Sequence, residues 1–197
     1  MFRALLILVV GVTTIWAINY DVLIEDPDIY LPCTESPPGS ISIHDLFDLR
    51  NLTLELEEDG IHVSGSATVK WDLPATDRIS ASFSVMQYNR GTWEPTVFNV
   101  NSPDFCKAIF EKDEYWYKYW FKNLRNTEEI REKCIKKKGT LLLFDPFVME
   151  LQLNQVTGPN LRGRYKAVIT FDAFDEYNVR RNTSVCFEIR GDLQKTS

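Results

Sequence analysis

The stretch LTLELEEDGIHVSGSATVKW, Leu52 to Trp71, decides the class of fold. In its first half Leu52, Leu54 and Leu56 alternate with Thr53 and Glu55. In its second half Ile61, Val63, Gly65, Ala67, Val69 and Trp71 alternate with His62, Ser64, Ser66, Thr68 and Lys70. A period of two is that of a strand with one face buried and one face wet. Glu58-Asp59-Gly60 lies between the two runs and predicts a hairpin turn. The chain therefore builds antiparallel β structure.

The same pattern continues outward. After Pro74-Ala75-Thr76-Asp77, Ile79, Ala81, Phe83 and Val85 alternate with Ser80, Ser82, Ser84 and Met86. Asn89-Arg90-Gly91 predicts the next turn, and Trp93, Pro95 and Val97 continue into a strand that Pro95 moves towards a sheet edge. Beyond Gly139, Thr140 to Phe144 is apolar and Pro146 is expected to interrupt it. Val148, Glu150 and Gln152 then alternate with Met149, Leu151 and Leu153, Gly158-Pro159 predicts a turn, and Tyr165 to Phe171 and Val185 to Ile189 alternate again. Seven or eight strands predict a mainly β, two-layer β-sandwich or β-cup. Towards the N-terminus, Asp21 to Ser40 is acidic, carries Pro27, Pro32, Pro37 and Pro38, and lacks alternation; an extended arm is expected there.

One stretch departs from the β pattern. Between Ser102 and Gly139, Phe105, Ile109, Trp116, Trp120 and Leu124 recur at helical spacing, with Ser102 or Asp104 available as a cap. Asn126 and Thr127 can cap a second, shorter helix over 128–134. This helical insertion, about residues 102–138, is rich in aromatic rings. Cys106 and Cys134 mark its ends.

The first residues have the layout of a secretory signal peptide: Arg3, then an uncharged apolar run from Ala4 to Trp16, then the small Ala17. The run is shorter than the roughly 20 residues of a spanning helix. Cleavage after Ala17 leaves residues 18–197 as a single β domain, secreted and extracellular. The net charge of −6 becomes −7 once Arg3 is removed, which gives no general attraction to nucleic acid. Lys136-Lys137-Lys138 reads as a solvated turn. All four cysteines lie after residue 17, and an even count in such a context predicts disulfides. Three pairings are open. Cys106–Cys134 would close the helical insertion, and Cys33–Cys186 would tie the N-terminal arm to the last strand. In the chain-entropy model closures of these lengths are worth about 3.5 and 5 kcal/mol. Asn51-Leu52-Thr53 and Asn182-Thr183-Ser184 are glycosylation sequons and predict surface positions for Asn51 and Asn182.

Catalytic patterns are sparse. His44 and His62, the two histidines, stand apart from any metal-spaced partner, and no nucleophile elbow, phosphate loop or dinucleotide fingerprint occurs. Asp172, Asp175 and Glu176 read as loop charges. The expectation is a protein without catalytic residues, cofactor or metal. What the chain has in excess is large apolar side chains, with aromatics at 13%. Those rings serve equally as the core of a filled sandwich or as the wall and lid of a hollow one. A hollow one accepts lipid-like ligands, because about 0.8 kcal/mol per buried CH₂ accumulates along an alkyl chain without polar partners. Phe83, Val85, Trp93, Phe105, Trp116 and Trp120 are the candidate lining. Arg162 and Arg164 read as strand-surface charges rather than headgroup contacts.

Several blocks resemble the insect chemosensory B (CheB) proteins. They include Thr68-Val69-Lys70-Trp71-Asp72, the run from Arg90 to Asn99 (RGTWEPTVFN), Asp104-Phe105-Cys106, Tyr117-Lys118-Tyr119-Trp120, the run from Leu161 to Lys166 (LRGRYK) and the run from Cys186 to Asp192 (CFEIRGD). The Gly-Thr-Trp-x-Pro-Thr and Leu-Arg-Gly-Arg-Tyr blocks are the more specific ones. That family is similar in turn to the lysosomal ganglioside activator protein and to the ML lipid-recognition group. The resemblance implies a β-cup whose interior holds acyl chains, and it also implies the Cys33–Cys186 pairing. It implies secretion around taste hairs and binding of a lipid or cuticular-hydrocarbon cue, as in taste or pheromone response, with a membrane receptor or lipid surface as further partner. The ganglioside activator has more cysteines in its helical and loop region, so its membrane-inserting loops do not carry over. Lipid transfer to an enzyme and a solid-core interaction module are the alternative functions.

Overall fold

The computed structural model describes residues 18–26, 28–156 and 161–196. The expected signal peptide and the turn at Gly158-Pro159 lie outside them. Twelve strands are described: β1 (Ile18–Ile24), β2 (Leu31–Pro32), β3 (Ser40–Ile41), β4 (Phe47–Asp48), β5 (Leu52–Glu57), β6 (Gly60–Val69), β7 (Arg78–Asn89), β8 (Thr92–Ser102), β9 (Leu141–Met149), β10 (Gln152–Val156), β11 (Gly163–Phe174) and β12 (Arg180–Lys195). They form two sheets. The larger has the order β10-β1-β12-β11-β7-β8, and the smaller joins β4, β5 and β9 to β6. Residues from both sheets, such as Val69 and Phe144 from one and Ile169 and Phe187 from the other, share one buried cluster. The fold is thus mainly β, a two-layer cup, as the alternation predicted.

The hairpins form where the turn residues placed them. Glu57 pairs with Gly60 across a two-residue loop. Asn89 pairs with Thr92 across Arg90 and Gly91, both at positive φ, 49° and 92°, the twist that suits a right-handed hairpin. Pro95 does fall on an edge strand, since β8 ends the larger sheet.

Three local expectations need correction. The N-terminal arm is partly strand: β1 pairs with residues 191–195 of β12, β2 with 187–188 and β3 with 184–185, so this segment runs back along one edge of the last strand. Pro32 lies within β2 and pairs with Phe187, and Pro37 and Pro38 precede β3, so proline does not prevent pairing there. Second, Pro146 does not end β9. Val63 pairs with Phe147 and Gly65 with Phe144, so Asp145 and Pro146 together oppose Ser64 in a bulge. Gly65 makes the bulge possible, because its φ is +95° and a Cβ there would stand 2.1 Å from the Asn51 carbonyl oxygen. Third, the helical insertion is four short pieces: α1 of the chain, Ile43–Leu46, precedes it, and within it lie α2 (Phe105–Ala108), α3 (Tyr115–Tyr119), a 3₁₀ turn (Phe121–Asn123) and α4 (Thr127–Lys133). A run from Tyr115 to Phe121 that is aromatic all round has no single face to bury, and rings are indifferent helix formers. The insertion folds around its contacts instead.

Both disulfides form as expected, Cys33–Cys186 and Cys106–Cys134, with Cα–Cα distances of 5.7 and 5.6 Å. Among the described residues no helix is long and apolar enough to cross a membrane. Asn51 and Asn182 are exposed, as glycosylation requires.

Candidate functional site

The inner faces of the two sheets do not mesh along their whole length. On β11 the inward side chains are Tyr165, Ala167, Ile169 and Phe171, and on β7 they are Ile79, Ala81, Phe83 and Val85. Near the helical insertion the space between sheets is filled. Phe105 packs edge-on against Trp116, Phe121 and Phe171 with ring centroids 5.2, 5.8 and 4.9 Å apart. Ile109, Ile130 and Ile135 are sealed there. The Trp116 indole N–H donates to the Ser102 hydroxyl at 3.1 Å, which satisfies its one polar atom.

Away from that end the sheets separate around a cavity of about 600 Å³. Phe105, Trp116 and Phe121 form one end of its wall, Trp120 and Phe144 another side, and Val22, Val85, Leu153, Leu161 and Leu193 the far side. The buried residues accordingly fall into one large cluster and two smaller ones, around Tyr20, Leu161, Tyr165 and Leu193 and around Ile29, Ile61 and Val63. Lining residues that also meet solvent locate the mouth: Val97, in the stretch of β8 looped out between the Ser84 and Met86 pairings, is 82% exposed, and Phe98 and Tyr115 are exposed beside it.

The insertion closes the other side by gripping both sheets. Phe105 holds the larger one through Phe171, and Trp120 holds the smaller through Phe144 and Phe147, 5.7 and 6.1 Å away. Its backbone is stitched to β9: the Asn126 amide nitrogen donates to the Leu141 carbonyl at 2.7 Å, its oxygen accepts from the Leu143 N–H at 3.0 Å, and the Arg125 N–H donates to the Leu143 carbonyl at 2.8 Å.

Five of the six candidate lining residues, Phe83, Val85, Phe105, Trp116 and Trp120, do face the cavity. Trp93 does not. It pairs with Tyr88, which shares the outward face of Ser82, Ser84 and Met86, and its ring lies 5.1 Å from that of Tyr88 with the Lys166 ammonium 4.9 Å above it. Sequence reading missed the contribution of the segments before Asp48: Val22, Ile24, Ile29 and Tyr30 all line the cavity. Val22 and Ile24 do alternate with Asp21 and Leu23, but the short, proline-bounded segment obscured the signal.

The outward face of β11 and β12 is polar and locally closed. Lys166 is 3% exposed and Glu188 is fully buried. The Lys166 ammonium donates to Glu188 at 3.0 Å and to the Thr34 hydroxyl at 2.6 Å, Arg190 donates to the other Glu188 oxygen, and Thr34, next to Cys33, lies over the pair. Burial pushes the Glu188 carboxyl up, but the hydrogen bonds from Arg190, Lys166 and Thr34 and the charge of Lys166 outweigh it and hold it below the ordinary carboxylate range. Arg164 pairs with Glu25 and reaches over Tyr88 and Trp93, and Lys137 bonds Asp72. Arg164 is thus a strand-surface charge, as its position predicted, and Lys137 is an exposed turn charge. His62 differs from expectation: on the hairpin it lies 2.7 Å from Asp59 and 3.7 Å from Glu57, and the hydrogen bond to Asp59 raises its pKa. The turn brings the ligand atoms of Glu57, Asp59 and His62 within 4.8 Å of one another, an exposed ion-paired group of the kind common without a metal.

Residues 81–166 match a family model described as Protein of unknown function (DUF1091). The matched segment takes in most of β7, β8 to β10, the whole helical insertion and the start of β11, so it spans the filled end of the cup and much of the cavity wall. No curated protein matches the chain closely enough to add to this.

Proposed function

We propose that this protein is a secreted carrier that holds a hydrophobic ligand, a lipid or a hydrocarbon-like cue, between its two sheets. The observation that carries the reading is the cavity of about 600 Å³ with an almost wholly apolar wall. Its volume lies within the roughly 300–1,000 Å³ of small-molecule sites. It is also about four times the roughly 150 Å³ apolar void known to admit benzene. An opening that size exposes apolar surface with nothing to cover it, and an alkyl chain removes that surface from water at about 0.8 kcal/mol per CH₂.

The resemblance to the insect chemosensory B proteins and to the ML lipid-recognition group supports the same reading, and extends it to contact chemosensation. Two disulfides and the expected signal peptide support secretion. Binding rather than catalysis suits a cavity whose wall, among the described residues, presents no cluster of acid, base and nucleophile. A solid-core interaction module would lack the cavity altogether. Transfer of lipid to an enzyme is the second reading, favoured by the exposed apolar rim at Val97 and Phe98. Native mass spectrometry of the secreted protein tests the carrier reading: co-purified lipid-like mass, displaced by a fluorescent fatty-chain probe, is expected. Empty protein that takes up no probe ends it. Extraction of lipid from vesicles separates the second reading from the first.

A further inference from the structure

The cavity wall has very few polar atoms, and their placement restricts the ligand further. Of the charged or amide side chains that touch the wall, Asn99 and Glu150 are exposed and Gln152 donates outward to Asp21 at 3.2 Å. Lys166 and Arg190 send their cationic heads to Glu188 on the opposite face of the sheet. No formal charge therefore serves the interior.

Phenols are different. Tyr115 and Tyr119, which also line the cavity, hydrogen-bond each other, and Tyr20, behind the wall, accepts the Leu161 N–H at 3.1 Å. Tyr30 and Tyr165 line the cavity, and among the described residues neither hydroxyl has a hydrogen-bond partner. Neither is sealed among protein atoms either; the enclosed orphan polar atoms lie at Asn123, Thr140 and Thr196. Tyr165 lines the cavity and is only 6% exposed, so little bulk solvent reaches it. Tyr30 stands with its ring 6.4 Å from Trp120 and 5.5 Å from Phe187. Burial pushes both phenols up, so they remain neutral donors. Tyr30 is half-buried and Tyr165 buried; a donor at an apolar wall without an acceptor is unfavourable, and a ligand oxygen relieves it.

Resting on the carrier reading, we infer that the cavity takes an uncharged oxygenated amphiphile, a long-chain ester, ketone, aldehyde or alcohol, whose oxygen accepts the hydroxyl hydrogen of Tyr30 or Tyr165. A plain hydrocarbon leaves both donors unmet. A fatty-acid anion meets them but brings a charge that no interior cation balances.

The test is competition against the neutral fluorophore N-phenyl-1-naphthylamine on the full disulfide-bonded protein, with tetradecane, tetradecyl acetate and tetradecanoate as competitors. Tetradecyl acetate is expected to displace the fluorophore at about five- to tenfold lower concentration than tetradecane, the worth of one or two neutral hydrogen bonds, with tetradecanoate behind the ester. In the Tyr30→Phe, Tyr165→Phe double variant the ester should fall to within about twofold of the alkane, while alkane displacement stays where it was. Equal displacement by alkane and ester in the unaltered protein overturns the inference alone, and so does an ester advantage that survives in the double variant or a preference for the carboxylate. A double variant that loses the alkane as well shows the tyrosines to be packing groups and overturns it too. If neither fluorophore nor any competitor enters, the carrier reading fails and this inference with it.

Discussion

The two faces of the β11–β12 pair are built from alternating residues of the same strands and solve opposite problems. Inward, Tyr165, Ala167 and Ile169 with Phe187 and Ile189 border a void. Outward, Lys166 and Glu188 are closed in under Thr34, with Cys33–Cys186 beside them. Burial in this protein therefore does not track hydrophobicity: the charged face is covered and part of the apolar face is left open. An apolar face left open inside a cup is available to a ligand. A charged pair buried outside holds the N-terminal arm and so keeps the wall in place.

That contrast breaks most readily at the disulfide. Cys33 and Cys186 are 153 residues apart, and the chain-entropy model gives about 5 kcal/mol for a closure of that length as an upper figure. In the Cys33→Ser, Cys186→Ser variant the arm should detach from β12, and urea unfolding should show the loss. Because Val22, Ile24, Ile29 and Tyr30 belong to the arm and the cavity alike, probe uptake should fall with it. Stability lost with uptake unchanged would separate the two faces.

Glu188→Gln comes next. It leaves two cations, Lys166 and Arg190, around a neutral amide, and removing one partner of a buried ion pair typically costs about 3–5 kcal/mol. The pH dependence follows from the lowered carboxyl. A group whose folded pKa is depressed contributes stability above its unfolded pKa, near 4.5, and loses it as the pH falls through the lower folded value. Urea midpoints of the unaltered protein should drop below pH 4.5, and the Glu188→Gln variant, already weakened, should lack that part of the drop. Parallel curves would remove Glu188 from the account.

These two positions show what could be read from the chain and what could not. Alternation placed Ile79, Ala81, Phe83 and Val85 on one face, and turn chemistry placed the Arg90-Gly91 hairpin, because both depend on neighbours in sequence. Glu188 was legible only as an outward residue; its burial comes from Thr34, 154 positions away, which no local pattern encodes. Whether a row of apolar side chains meets an opposing row or a void is likewise set by the spacing of two sheets. Helical spacing from Phe105 to Leu124 was real, yet the segment answers to Phe171 and Phe144 on the sheets and breaks into short turns to reach both. Trp93 was misplaced because an aromatic ring on an edge strand packs equally well on either face.

Two alanines on the inward face of β11 sharpen the contrast between filled and hollow regions. Ala173 is fully buried and Ala167 borders the void. Ala173→Phe forces a ring into occupied space and should cost about 1–3 kcal/mol. Ala167→Phe has room, so its unfolding midpoint should stay close to the original while probe binding weakens about tenfold or more as the ring takes the ligand's place. If Ala167→Phe destabilises as much as Ala173→Phe, the space beside it is not open.

The smallest expected effect belongs to Trp93. Its ring rests on Tyr88 beneath the Lys166 ammonium, outside the cup, and a cation over a ring is worth about 0.5–1 kcal/mol where exposed and about 2 kcal/mol where desolvated, as the buried Lys166 head is. Trp93→Leu keeps an apolar cover over the Lys166–Glu188 pair and removes only the ring. Stability should therefore fall by no more than about 2 kcal/mol, and the affinity for N-phenyl-1-naphthylamine should stay within about twofold, because no atom of the cavity wall has changed. Trp116→Leu is the counterpart: it removes an indole that lines the void and packs on Phe105 and Phe171, and both readouts should move. If Trp93→Leu weakens uptake as much as Trp116→Leu does, then the two sides of this sheet are not independent, and the buried ion pair is holding the shape of the wall directly behind it.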